Sequence, residues 1–218
     1  MRIETNTTDL KAAVDAVVTV MDKRSHIPVM NNLLLSFDGE TLRVVGTNLD
    51  VRRTRTLGAD GEAGSITVGG DVLKKALQKF PKNTALSLGT ETDDNGNIKL
   101  RLRAGKANLA LSTLPAEDFP LASDADEMDA EGSLTLDAKE FRNILARTKL
   151  AISDEETRYY LNGVYLDTSS SDATFVATDG HRMSVYQTGV PVQWASVITP
   201  TLAIYTAYKA LYRRTDSV

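Results

Sequence analysis

The sequence predicts an α+β fold assembled from a repeated β-α-β-β-β unit, and three observations carry that expectation. An apolar-alternating stub followed by a helical pattern begins four times, at Ile3, Ile66, Leu134 and Val197. The intervals are 63, 68 and 63 residues, so the units also pair into halves related by a shift of 131. Each helical pattern carries an apolar stripe at helical spacing, and the first three are followed by short alternating segments that read as strands. Self-similarity at a fixed period sets the architecture before any local pattern does.

The elements follow in order. After the stub at Ile3, the stripe Leu10, Val14, Val17 and Met21 predicts a helix, and Asn32-Leu33-Leu34-Leu35 and Leu42-Arg43-Val44-Val45 predict strands. In the second unit the stripe is Leu73, Ala76, Leu77 and Phe80. There Thr92-Asp93-Asp94-Asn95-Gly96-Asn97, flanked by Leu88 and Ile98-Lys99-Leu100-Arg101-Leu102, reads as a hairpin turn. The third helix carries Phe141, Ile144 and Leu145. Its following strands, Asn162-Gly163-Val164-Tyr165-Leu166 and Thr174-Phe175-Val176-Ala177-Thr178, answer to those of the first unit. The fourth unit has Ile204, Tyr208 and Leu211, and the sequence ends within this helical pattern at Arg213-Arg214-Thr215-Asp216-Ser217-Val218. Asp9, Asp71 and Asp137 lie at or near helix starts, where a carboxylate caps free N–H groups and meets the positive end of the helix dipole.

Composition excludes classes without choosing one. A hydrophobic fraction of 42% and a formal net charge of −4 over 218 residues describe an ordinary globular protein of one large or two small domains. With no cysteine, disulfides, thiolate metal sites and cysteine nucleophiles are excluded. Met1-Arg2-Ile3-Glu4-Thr5 is too polar for a secretory leader, and no apolar run nears the roughly 18 residues that span a bilayer. A cytoplasmic location is expected, with no membrane partner.

The placement of charge says more than its sum. Glu117 to Glu131 contains seven acidic residues and no Lys or Arg. This stretch reads as a linker, giving a complete domain at 1–121, the acidic linker at 122–131 and a second domain at 132–218. The helices are cationic. Lys74, Lys75, Lys79 and Lys82 belong to the second, Lys139, Arg142, Arg147 and Lys149 to the third, and Lys23 and Arg24 follow the first. Lysines on any one helix fill a solvated face, but the same surface recurring from unit to unit points to a polyanion.

Catalytic constellations are weak. His26 and His181 are the only histidines, and Thr178-Asp179-Gly180-His181-Arg182 offers one His beside one carboxylate, without the further ligands of a metal site. Asp-Gly there reads as a tight turn; a metal-dependent hydrolase built on Asp179 and His181 stands only as a contrasting hypothesis. The Asp93 segment lacks the terminal Glu of a calcium loop, and no glycine-rich loop leads into Lys-Ser/Thr. No catalytic residue, metal or cofactor is expected.

Arg158-Tyr159-Tyr160-Leu161-Asn162-Gly163-Val164, followed by Ala177-Thr178-Asp179-Gly180-His181-Arg182-Met183, resembles the middle domain of the beta subunit of bacterial DNA polymerase III, the sliding clamp. Ile27-Pro28-Val29-Met30-Asn31-Asn32 and Leu111-Ser112-Thr113-Leu114-Pro115-Ala116-Glu117-Asp118-Phe119-Pro120 are similar to its first domain. The resemblance runs from Met1 to about Leu211. It implies a DNA-clamp fold, with helices on one face lining a channel and antiparallel sheets on the other. It also implies a processivity factor that tethers a replicative polymerase to duplex DNA and has no catalysis of its own. Three such domains make a clamp subunit, so the resemblance implies a C-terminally truncated form whose third domain is absent.

Residue by residue, the resemblance gives Arg24, Arg158, Tyr159 and Tyr160 as DNA contacts, to which the helix charge pattern adds Lys74 and Lys75. Leu161, Thr178, Gly180, His181, Arg182 and Met183 match one wall of a cleft for polymerase and clamp-loader peptides; an extended peptide suits such a mixture of apolar patches and backbone groups. Two departures remove expected phosphate contacts: Gly69-Gly70-Asp71 opens the second helix, and Pro200-Thr201-Leu202 opens the fourth. A second hypothesis is therefore an interaction module that binds clamp partners, or a full-length clamp subunit, without encircling DNA.

Overall fold

In the computed structural model, which describes residues 1–21, 26–120, 132–192 and 194–215, the chain divides into two units, Met1–Leu121 and Ala122–Val218. The first unit runs β1 (Arg2–Asn6), α1 (Thr7–Val17), β2 (Asn32–Phe37), β3 (Thr41–Thr47), β4 (Arg52–Gly58), β5 (Asp60–Glu62), β6 (Gly64–Gly69), α2 (Gly70–Leu77), β7 (Ala85–Thr92), β8 (Ile98–Ala104) and β9 (Ala107–Leu114). The short β5, which pairs with β1, was not legible as an element in the repeat pattern.

The sheet order is β4-β3-β2-β6-β9-β8-β7-β1-β5. Each half makes a three-stranded meander, and each half's opening strand crosses to the other: β1 pairs with β7, and β6 pairs with β2. The exchange makes neither half self-sufficient, because each lacks a strand until its sibling supplies it. The two sheets then meet through a short antiparallel pairing, Thr67 with Leu114 and Val68 with Thr113. Helices α1 and α2 pack side by side, as the repeat requires of a helical face. Their stripes meet the sheets in one core in which Ile3, Leu10, Val14, Leu33, Leu73, Leu88 and Leu100 are buried.

The second unit contains α3 (Ala138–Thr148), β10 (Gly163–Asp167), β11 (Asp172–Thr178), β12 (Met183–Pro191), β13 (Val197–Pro200) and α4 (Thr201–Thr215). Its sheet, β12-β11-β10-β13, repeats the exchange: β13 opens the fourth β-α-β-β-β repeat and pairs with β10 of the third. Ile144, Leu145, Val164, Phe175 and Ile204 are buried in its core, against which Tyr208 and Leu211 are partly buried.

Two expectations need correcting. The stub at Leu134 is not a strand: residues 132–137 lie outside any strand, and Leu134 and Leu136 simply pack on the core. In the first unit the equivalent strand, β1, pairs with β7, and no strand among the described residues of the second unit pairs with residues 132–137. Asp137 does cap α3, accepting from the backbone N–H groups of Lys139 and Glu140. Asp9 and Asp71 do not cap; they sit in first turns, and the caps are Asn6, which accepts from Thr8 N–H at 2.8 Å, and Gly69. Along β9, Leu111 is buried and Leu109 packs partly buried against the same core, so the open edge of the strand is its backbone.

Candidate nucleic-acid interface and peptide cleft

The Arg-Tyr-Tyr-Leu segment does not begin a strand. It forms a 3-10 turn, Glu156–Leu161, broken by the non-helical backbone of Arg158. Hydrogen bonds at both ends hold it: Arg158 N–H donates to the Glu155 carbonyl at 3.2 Å at the start, and at the end Ser153 N–H donates to the Leu161 carbonyl at 3.2 Å and Asn162 N–H to the Tyr159 carbonyl at 3.0 Å. The Asn162 carbonyl in turn accepts from Thr201 N–H and its hydroxyl, at 3.1 and 2.8 Å, fixing the turn to the start of α4. With its backbone pinned, the turn projects Tyr159 and Tyr160 outward. Both are exposed, with ring centroids 5.8 Å apart in an edge-to-face arrangement. Leu161 is half-buried at the inner end.

Beside it lies the turn joining β11 to β12. The Asp179 carboxylate accepts from the backbone N–H groups of His181 and Arg182, both at 2.9 Å, and from Arg182 Nε at 2.8 Å. The two backbone donors, followed by the guanidinium, hold its pKa down at about 2. The Thr178 hydroxyl accepts from Gly180 N–H and donates to the Arg182 carbonyl. Gly180 takes a φ of +89°, which favours glycine, and a Cβ there would lie 3.1 Å from Arg158 Nη1. Arg158 thus lies beside the bare Cα of Gly180, so the expected DNA and peptide residues of this unit adjoin. Met183 is exposed at the start of β12. With both carboxylate oxygens engaged in the turn, Asp179 is committed to backbone geometry rather than to acid–base work. No cluster of three or more His, Asp or Glu side chains suited to a metal occurs among the described residues.

In the first unit the cations differ in what they can do. Lys75, Lys79 and Lys82 are exposed. Lys74 is half-buried, with its Nζ 3.1 Å from the Asp15 carboxylate of α1. On the third helix, Lys149 Nζ sits 3.4 Å from the Tyr208 ring centroid, a cation–π contact that ties α3's end to α4. Arg24 and Lys23 lie outside the described residues, as does the acidic stretch 121–131. Sequence patterning missed Asp15 and Glu155; the latter pairs with Arg158 at 3.1 Å. The three-residue spacing from Glu155 to Arg158 is a legible signal for that pair, whereas Asp15 meets Lys74 only through tertiary packing.

Along β9, Ala107–Ala104 through Ser112–Lys99 pair with β8, while pairing to β6 involves only Thr113 and Leu114. An open groove of about 440 Å³ follows this edge, lined by Asn32, Gly69, Val72 and residues 110–114.

The family model for the DNA polymerase III beta subunit, N-terminal domain, matches residues 1–123, and that for its central domain matches residues 135–218. The chain belongs to the DNA polymerase III beta-subunit family. It is 32% identical over 226 residues to the beta sliding clamp of Caulobacter vibrioides, a match covering 100% of this chain and 59% of that protein. A crystal structure of the Caulobacter crescentus beta sliding clamp, with polyethylene glycol at a region assigned to tethering the beta motif, superposes with a TM-score of 0.85 at 32% identity. That superposition covers 97% of this chain and 57% of the other. The Bartonella birtlesii sliding clamp bound to griselimycin gives a TM-score of 0.83 at 27% identity, covering 98% and 57%. The chain thus spans little more than half the length of these relatives. The clamp fold, α+β with helices beside antiparallel sheets, is the one the resemblance implied, and its repeated units are those the sequence period predicted.

Proposed function

We propose that this chain is a sliding-clamp-type processivity factor, which holds a replicative DNA polymerase to duplex DNA without chemistry of its own. The observation that carries the reading is the match of two clamp domains, in order, to the two units, with Lys75 exposed on α2 of the first and Lys79 exposed in the turn that follows it. Contacts between lysines and phosphates are weak, interchangeable and blind to sequence, which is what sliding needs. Tethering raises the polymerase's effective concentration at its template. Residues 1–121 would act as clamp domain one, 122–131 as linker and 132–218 within domain two.

The DNA contacts in this reading are Arg24, Lys75, Arg158, Tyr159 and Tyr160, with Lys74 reduced to a secondary role by its pairing with Asp15. Polymerase and clamp-loader peptides would lie against Leu161, Thr178, Gly180, His181, Arg182 and Met183. The juxtaposition of the pinned 3-10 turn with the Asp179 turn supports this, since it offers a half-buried apolar floor beside fixed backbone groups. A full-length clamp subunit is a further partner, through the open edge of β9. No described helix is long and apolar enough to cross a membrane, and replication places the work in the cytoplasm.

Fluorescence anisotropy with unrelated duplexes at several salt concentrations tests the reading. Weak binding, equal across sequences, is expected, with log K falling by about 0.9 per log unit of salt for each phosphate contacted. Strong preference for one base sequence would defeat it. Retention on closed circular DNA, lost on linearisation, separates encirclement from a module that binds partners without enclosing DNA.

A further inference from the structure

Strand β4 carries three arginines in four residues, Arg52-Arg53-Thr54-Arg55. Its register with β3 divides them between the two faces of the sheet: Arg52 lies opposite Thr47, Arg53 opposite Gly46 and Arg55 opposite Val44. Directly paired residues of antiparallel strands point to the same face, and the face alternates along each strand. Val44 is buried in the core with Leu10, Val14 and Val17 of α1, and a Cβ on Gly46 would run into Val17 Cγ1. Arg53 and Arg55 therefore project on the helix side of the sheet, and Arg52 on the other. The hydrogen bonds agree. Arg53 Nη1 donates to the Thr19 hydroxyl at 3.0 Å, and that hydroxyl donates to the Ala16 carbonyl, in the last turn of α1, at 2.6 Å.

Arg53 is half-buried at the end of α1, a place that suits a cation because the helix dipole is negative there. Arg55 is exposed and has no ion-pair partner among the described residues. In this it differs from Lys74, which Asp15 holds. Helix α1 lies over β3 and β4, while α2 lies over β6 and β9. Lys75 and Lys79 on the α2 side and Arg53 and Arg55 on β4 thus flank α1 from opposite sides. A duplex lying across α1 meets cations at both flanks. The phosphate contacts that the resemblance implies at the starts of α2 and α4 are missing, where the chain has Gly69-Gly70-Asp71 and Pro200-Thr201-Leu202. The arginines of β4 restore positive charge to the helix side of the first unit.

We propose that Arg55 is a phosphate contact of the duplex interface, made from the sheet rather than from a helix, with Arg53 anchored beside it to position the end of α1. The contact rests on the duplex-tethering function proposed above. A guanidinium stays charged and offers a phosphate two parallel donors. Such a contact is blind to base sequence, so it adds affinity without hindering sliding. Both arginines project from the face of β4, so a strand added along its outer edge would leave their direction unchanged. Arg52, on the opposite face, takes no part.

Anisotropy of the full chain with two unrelated duplexes, across salt concentrations, tests the contact. Arg55→Ala should weaken binding to both duplexes alike and reduce the salt slope by about 1, while Arg55→Lys should keep most of that slope. Arg52→Ala removes the same charge from the far face and should leave affinity and slope unchanged. Circular dichroism spectra of the Arg55 variants should match that of the unaltered chain. Equal losses in Arg55→Ala and Arg52→Ala would mean that only net charge counts, and would overturn the proposal. If Lys75→Ala weakens binding and Arg55→Ala does not, the helices alone hold the duplex: this contact is refuted and the tethering function stands. If the folded, unaltered chain binds no duplex at any salt concentration, the tethering function falls and the contact with it.

Discussion

Lys74 Nζ lies 3.1 Å from the carboxylate of Asp15, so the first lysine of the α2 pair is tied to α1 while Lys75 beside it is exposed. The two lysines that look interchangeable in sequence therefore predict different phenotypes. Lys75→Ala should lower affinity for all duplexes alike and reduce the salt slope by about 1. Lys74→Ala should change the slope less, and Asp15→Asn should raise duplex affinity by releasing Lys74. Because the Lys74–Asp15 pair is partly exposed, stability should move by no more than about 1 kcal/mol in either variant. Anisotropy across salt concentrations, with denaturant midpoints alongside, checks both halves.

A pH prediction follows from Asp179. Its pKa falls from 3.8 to about 2 on folding, chiefly through the backbone N–H groups of His181 and Arg182. A depressed carboxylate pKa contributes stability that is present above the unfolded value, near 4, and is lost as pH falls through about 2. The turn should thus hold at neutral pH and loosen between about pH 4 and pH 2, visible as shifts of the His181 and Arg182 amide resonances. Asp93, also held near 2, should show the same window at Asn95 and Asn97 in the hairpin between β7 and β8. Asp179→Asn should displace the Arg182 guanidinium at neutral pH and weaken binding of any peptide that uses the turn.

Helix starts give a third prediction. Asn6 and Asp137 carry the caps, so Asn6→Ala and Asp137→Ala should each cost about 1 kcal/mol. Asp9→Ala, which removes only a first-turn charge, should cost about 0.3–0.5 kcal/mol. Thermal or denaturant unfolding of the three variants ranks them.

The repeat, the helical stripes and the two hairpin turns were legible because each is a local pattern with a period or a turn chemistry of its own. The pairing of strands was not. That β1 joins β7 and β6 joins β2 depends on two halves meeting, and no window of sequence contains both partners. The same limit explains Lys74, whose partner Asp15 is on another helix, and Leu134, whose alternation needs a neighbouring strand to become one. The conformation of the Tyr159–Tyr160 segment was not legible either, although a strand begins just beyond it at Gly163. What redirects it is the capture of its backbone by Ser153 and of Asn162 by Thr201, contacts from both flanks.

Gly163 supplies the last prediction. It opens β10 opposite Pro200, and a Cβ there would collide with the Thr199 carbonyl oxygen and come within 2.9 Å of Ile198 Cγ2. β13 has only β10 as a strand partner among the described residues, so it cannot shift without surrendering part of its pairing. Gly163→Ala should therefore destabilise the second unit by about 1–3 kcal/mol, the usual cost of forcing extra bulk into a packed site. The effect should be local: amide exchange should quicken at Val164, Tyr165 and Thr199, while Leu33, Leu35 and Leu88 in the first unit keep their protection. Because Thr201 hydrogen-bonds to the Asn162 carbonyl, the displacement should also reach the 3-10 turn and alter the Tyr159 and Tyr160 ring resonances. If those rings were unmoved while β13 exchanged faster, the turn would be held by Ser153 alone, and its coupling to α4 would carry no weight.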